Sequence, residues 1–247
     1  MTVPTLLLVR HGRTAANAGG TLAGRTPGVG LDDVGLAQVE ALAARTAQLP
    51  VVRVLSSPLE RCLLTAQGFV GSGGTAAVPR PALEVDERLA ECDYGDWTGR
   101  PLKELAKDPL WPVVQSYPSA MTFPGGESMR GMQQRAVDAV RQVDAEVEAE
   151  HGPDALWVAV SHGDLIATVL AEALGVHLDT FQRIVVDPCS VSVIRYTPLR
   201  PFVVRVNDSA DLSGLVPPKR RRRRRKVSSD AAVGGGGGGA VGGGLPG

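Results

Sequence analysis

Three short apolar runs constrain this chain more than any other feature. VPTLLLV (3–9), VVRVLSS (51–57) and ALWVAVS (155–161) are nearly continuous and end at turn signals. A strand with one wet face alternates apolar and polar residues. A continuous run has both faces covered, the pattern of parallel strands under crossover helices. Between these runs, residues 35–49, 130–151 and 164–175 place apolar residues at helical spacing, and Gly175 stops the third segment. The alternation predicts an α/β fold with a mostly parallel central sheet and helices on both faces. Near the end, CSVSVIRYTP and RPFVVRVND alternate around a Pro-rich turn and predict a closing antiparallel hairpin.

Two regions depart from this pattern. Residues 96–128 carry Pro101, Pro109, Pro112, Pro118 and Pro124 and read as a partly helical lid. Trp97, Trp111, Tyr117 and Phe123 are expected to form its core, with an apolar wall toward the substrate as the alternative. A folded domain is expected over 1–206, with 207–247 a disordered basic and Gly-rich tail. The formal net charge of zero hides an asymmetry, because Lys219–Lys226 holds eight consecutive cations. Residues 1–218 hold 18 Lys and Arg against 25 acids, a balance of about −7. The tail is read as a solvated extension, with weak polyanion contact through Lys219–Lys226 as the alternative.

Several classes are excluded as expectations. No run reaches the roughly 20 apolar residues of a membrane-spanning helix, and the apolar start meets Arg10 too soon for a signal peptide. Cys62, Cys92 and Cys189 are scattered and odd in number, which suits a reducing, cytoplasmic setting rather than a disulfide or zinc framework.

The chemistry gathers where the apolar runs stop. The first run ends in Arg10-His11-Gly12, and the third in His162-Gly163. In an open α/β sheet, ligands bind at the carboxyl ends of the strands. The second run leads through Ser57-Pro58 into a helix carrying Arg61, with Pro58 expected at its first position. The stretch 87–99 offers Glu87, Glu91, Asp93 and Asp96 as rival carboxylates. A metal site is disfavoured because His11 and His162 lack a third ligand at familiar spacing. One reaction uses all these groups. A neutral imidazole attacks phosphorus, guanidiniums and a second imidazole hold the oxygens, and a carboxylic acid protonates the leaving group.

The motifs together resemble the histidine phosphatase superfamily, also called phosphoglycerate mutase-like, over about residues 3–206. Residues 10–17 (RHGRTAAN) resemble its RHGxTxxN signature, residues 56–66 its SSPLxRxxxTA segment, residues 89–97 its LxExxxGxW segment, and residues 161–163 its SHG motif. The resemblance implies His11 as nucleophile and Glu91 as proton donor. It implies Arg10, Asn17, Arg61 and His162 around the phosphate, with no metal and no cofactor. Arg13 stands where many members carry Glu or Gln. The loop 22–31 is more Gly-rich than usual and reads as a substrate contact or a flexible loop. Residues 124–128 (PGGES) resemble a turn of the phosphatase branch and are expected to start a helix.

The implied function is a phosphomonoester hydrolase acting on a small phosphorylated metabolite. A mutase returns the phosphoryl group to a hydroxyl instead. Only 29 residues separate Gly95 from Gly125, and that compact lid favours the phosphatase. A phospho-ligand-binding protein without turnover is the third reading, supported by the tail alone. A homodimer is compatible with the resemblance.

Overall fold

In the computed structural model, which describes residues 2–70 and 81–210, the three apolar runs become neighbouring parallel strands. β1 (Thr5–Arg10), β2 (Val51–Ser56) and β4 (Leu156–Ser161) lie in a six-stranded sheet ordered β3-β2-β4-β1-β5-β6. The remaining strands are β3 (Leu83–Val85), β5 (Val191–Tyr196) and β6 (Pro201–Asp208). β3, β2, β4 and β1 run parallel, and β5 and β6 form the expected antiparallel hairpin. Sequence periodicity does not reveal β3, because it has three residues and two of them are exposed.

Alternate residues of β1 serve two cores. Leu6 and Leu8 pack with α6 (Met129–His151) and α7 (Gly163–Ala173). Leu7 and Val9 pack with α2 (Asp33–Thr46) and α3 (Glu60–Ala66). This is why the run is apolar at every position. α6 buries Met132, Ala136, Val140, Val143 and Val147 along one stripe, the period-3.6 signature of a half-buried helix. α7 is buried from Gly163 to Ala171, so it is apolar nearly all round.

The register aligns the strand ends. Arg10 lies opposite Ser161, and Ser56 opposite Val160. His11, Ser57 and His162 therefore leave the sheet along one edge. That edge is the carboxyl end of the parallel strands.

The lid contains short helices, α4 (Leu102–Leu105) and α5 (Trp111–Ser116). Trp97 and Phe123 are fully buried and meet edge to face at 5.4 Å, while Trp97 and Trp111 stack at 6.1 Å. Tyr117 departs from the expected lid core and is 65% exposed. It follows α5 where the chain turns into Pro118, so the turn carries it into solvent. A second correction concerns Pro58. α3 starts at Glu60, because Leu59 keeps an extended backbone and acts as its N-cap. The basic tail, including Lys219–Lys226, lies outside the described residues.

Candidate active site

Five of the six residues singled out by the sequence converge on this edge. Arg10, His11, Arg61, Glu91 and His162 are each at most 4% exposed. β1 delivers His11, and Gly12 then makes a close turn. The Gly12 amide donates to Thr65 Oγ1 at 2.9 Å. Thr65 is on α3, and its hydroxyl donates in turn to the Arg61 carbonyl at 2.7 Å. The start of α2 packs under the same turn, where any Cβ on Gly35 would collide with the Arg13 backbone.

The hydrogen bonds fix the state of His11. A carbonyl only accepts, so Nδ1 carries the proton it gives to the Gly12 oxygen at 2.7 Å. A guanidinium only donates, so Nε2 is the lone pair that receives Arg61 Nε at 3.2 Å. Burial, then the charges of Arg61 and Arg10, push the imidazole well below its usual pKa. His11 is a neutral ring whose Nε2 lone pair faces the Arg61 guanidinium.

Arg61 links the parts. Its Nη2 donates to the Gly24 carbonyl at 2.8 Å and to His162 Nδ1 at 3.2 Å. Its Nη1 is buried and has no hydrogen-bond partner among the described residues. Two donors of an always-charged fork are thus held dry beside the nucleophile, an arrangement expensive without an anion to receive them.

His162 is the N-cap of α7 and fully buried. Because Nδ1 accepts from Arg61, Nε2 carries the proton and donates to Ser57 Oγ at 2.8 Å. Burial, with Arg61 next, pushes this ring too well below its usual pKa. The rings of His11 and His162 meet edge to face at 5.3 Å.

Glu91 completes the cluster. One carboxyl oxygen accepts the Cys92 amide at 3.0 Å, and the other lies 4.0 Å from His162 Nδ1. Burial, then the nearby Asp164 charge, raises its pKa to about 7. Asp164 accepts from the buried Tyr94 hydroxyl at 2.7 Å. Glu87, Asp93 and Asp96 do not share this burial; Asp93 and Asp96 instead hold the turn, with the Gly95 amide donating to Asp93 Oδ1 and the Asp96 amide to the Pro124 carbonyl. Arg10 donates from Nη1 to the Val186 carbonyl at 2.6 Å.

Asn17 is placed differently. Its Oδ1 accepts from the Thr14 amide at 3.1 Å and the Thr14 hydroxyl at 2.9 Å, closing the capping box of α1 (Ala15–Gly19). Those bonds order the turn after Gly12. Ser57, Thr65, Gly24 and Asp164 were not read from the sequence as site residues. Ser57 and Thr65 had an available signal, since both fall in the motif of residues 56–66.

The Ser57 hydroxyl both donates and accepts. For His162 Nδ1 to donate to an oxyanion, the proton must leave Nε2, and a Ser57 hydroxyl that rotates and donates to Nε2 supports that tautomer. Ser57→Ala removes this partner. An approximately tenfold fall in kcat/KM is expected, the effect of one lost hydrogen bond in a dry site. Unchanged steady-state kinetics would refute it.

Two guanidiniums, two neutral imidazoles and a protonatable carboxyl at the carboxyl ends of parallel strands can receive an oxyanion and move one proton. The family description "Histidine phosphatase superfamily (branch 1)" matches residues 6–209, and the chain belongs to that superfamily. Glucosyl-3-phosphoglycerate phosphatase of Mycolicibacterium vanbaalenii is 32% identical over 184 residues, 73% of this chain and 79% of that protein. The probable phosphoglycerate mutase GpmB of Yersinia pestis is 29% identical over 192 residues, 76% of this chain and 83% of that protein. The structure of mycobacterial glucosyl-3-phosphoglycerate phosphatase in complex with VO3 is 25% identical, covers 83% of this chain and 98% of that one, and has a TM-score of 0.70. This chain is an enzyme with phosphatase homologues that act on small phosphorylated metabolites. No helix among the described residues is long and apolar enough to cross a membrane.

Proposed function

We propose that the chain is a metal-independent phosphomonoester hydrolase that works through a phosphohistidine at His11. The observation that carries this reading is the neutral His11 Nε2 lone pair beside the buried, unpartnered Nη1 of Arg61.

Nε2 attacks phosphorus, forming an N–P bond as the ester P–O bond breaks. Arg10, Arg61 and His162 hold the phosphoryl oxygens, and the charge of the two guanidiniums supplies the field a metal would otherwise provide. The ring becomes cationic, and the Gly12 carbonyl on Nδ1–H stabilises that charge. The protonated Glu91 carboxyl gives its proton to the departing alkoxide. The resulting carboxylate then takes a proton from water as the water oxygen attacks phosphorus. The N–P bond breaks, inorganic phosphate leaves, and Glu91 is protonated again. Asn17 contributes by ordering the turn through Thr14.

The test is hydrolysis of p-nitrophenyl phosphate in excess EDTA. Sustained turnover is expected, and loss of turnover on chelation would overturn metal independence. The likeness to a protein named a phosphoglycerate mutase gives the second reading, in which a hydroxyl rather than water takes the phosphoryl group. The compact lid supports water. Interconversion of phosphoglycerates faster than phosphate release would reverse that preference.

A further inference from the structure

The proton donor is held by its backbone as well as by its surroundings. The Glu91 carbonyl receives two guanidiniums, Arg25 Nε at 2.8 Å and Arg135 Nη2 at 3.2 Å. Both arginines also reach one carboxylate, Glu127. Arg25 Nη2 lies 3.1 Å from Glu127 Oε1, and Arg135 donates to both its oxygens at 2.6 and 3.0 Å. Glu127 Oε1 accepts the Asp93 amide at 2.8 Å as well. Arg135 is fixed on α6 and further tied to the Arg88 carbonyl at 2.7 Å. Arg25 is the more exposed member. It lies in the Gly-rich loop 22–31, and its side chain is 38% exposed, against 20% for Arg135.

The residue before it has a matching task. The Gly24 carbonyl holds Arg61 Nη2 at 2.8 Å. Gly24 has φ +51°, and a Cβ there would press on Thr98 and Tyr94. One dipeptide thus touches both halves of the chemistry, the phosphate-facing guanidinium through Gly24 and the acid through Arg25.

From this geometry we infer that Arg25 is a positioning residue that sets Glu91 for proton transfer to the leaving group, and that the 22–31 loop aligns donor and guanidinium together. This rests on the reading of Glu91 as the proton donor. Arg25 touches no reacting atom. It acts by holding the peptide from which the Glu91 side chain springs, and a displacement near 1 Å costs about 10²-fold in such chemistry. Arg135 retains the same carbonyl, so the loss on removing Arg25 is partial.

The test compares two leaving groups in the full chain. Nitrophenolate departs from p-nitrophenyl phosphate without a proton, whereas the alkoxide of glycerol 2-phosphate needs one. Arg25→Met is expected to lower kcat/KM for glycerol 2-phosphate by roughly tenfold to a hundredfold and to change p-nitrophenyl phosphate little. Arg25→Lys is expected to show the same selectivity, because an ammonium cannot span the Glu91 carbonyl and Glu127 as a fork does. It also carries the test if thermal melting shows Arg25→Met to be unfolded. Equal losses on both substrates, no loss on either, or full rescue by lysine would overturn the inference. Glu91→Gln is run beside them. If it is selective and the Arg25 variants are not, the inference fails and the donor assignment stands; if Glu91→Gln is itself unselective, both fall.

Discussion

His11→Ala is expected to abolish turnover of every phosphomonoester, by on the order of 10⁴-fold or more in kcat. The size follows from the geometry. Nε2 carries the lone pair at the centre of the cluster: the Gly12 carbonyl keeps the proton on Nδ1, and the hydrogen bond from Arg61 identifies Nε2 as the acceptor. No neighbour can replace it. The Ser57 hydroxyl is engaged with His162, and burial lifts the Cys62 thiol to about 12, leaving it protonated. The check is direct. Wild type quenched during turnover should carry an acid-labile, base-stable phosphoryl group, and His11→Ala should carry none. A labelled His11→Ala protein would place the nucleophile elsewhere.

Glu91→Gln has the second largest expected effect, a loss of about 10²- to 10⁴-fold on substrates with alkoxide leaving groups. It also has a pH signature whose sign is set by the raised pKa. The donor must be protonated, and with a pKa of about 7 it is mostly so below neutrality and mostly ionised above it. For alkyl phosphates, kcat/KM should therefore be level below about pH 7 and fall as pH rises through it. His11 must be neutral to attack, and its pKa lies well below the usual imidazole value, so the acidic limb falls far from the basic one. Glutamine has no proton to lose, so the basic limb should vanish in the variant. A basic limb that survives Glu91→Gln would assign it to another group and remove Glu91 from the donor role.

The sequence made part of this site legible and hid the rest for a physical reason. His11 and His162 follow apolar runs, and a strand that stops at a charged or titratable residue marks the edge where ligands bind. Arg61 could be placed because a strand, a turn and a helix are written plainly around it. Glu91 could not be separated from Glu87, Asp93 and Asp96 by residue type. Its distinction is burial at 4% exposure, with its carboxyl between the Cys92 amide and His162. Arg25 and Glu127 escaped for another reason. They act on or through the main chain, and a main-chain carbonyl leaves no trace in residue identity. PGGES was read as a helix start, which Ser128 does serve by capping α6, while Glu127 beside it ties down the acid-bearing segment.

The place of β1 in the sheet has a consequence for how the protein comes into being. β1 precedes every other strand of the sheet in the chain, yet both strands beside it, β4 and β5, come from residues 156–161 and 191–196. Leu7 must wait for Val193 before its second edge is covered. Contacts that far apart in sequence close slowly, and an apolar strand with open edges is prone to stick to others meanwhile. A ribosome-bound chain that has not reached residue 191 holds its nucleophile at the end of a strand with one edge still open. The Val186 carbonyl that steadies Arg10 belongs to the same late segment. Activity should therefore appear only once residues 186–196 have been made, and in no fragment that stops before them.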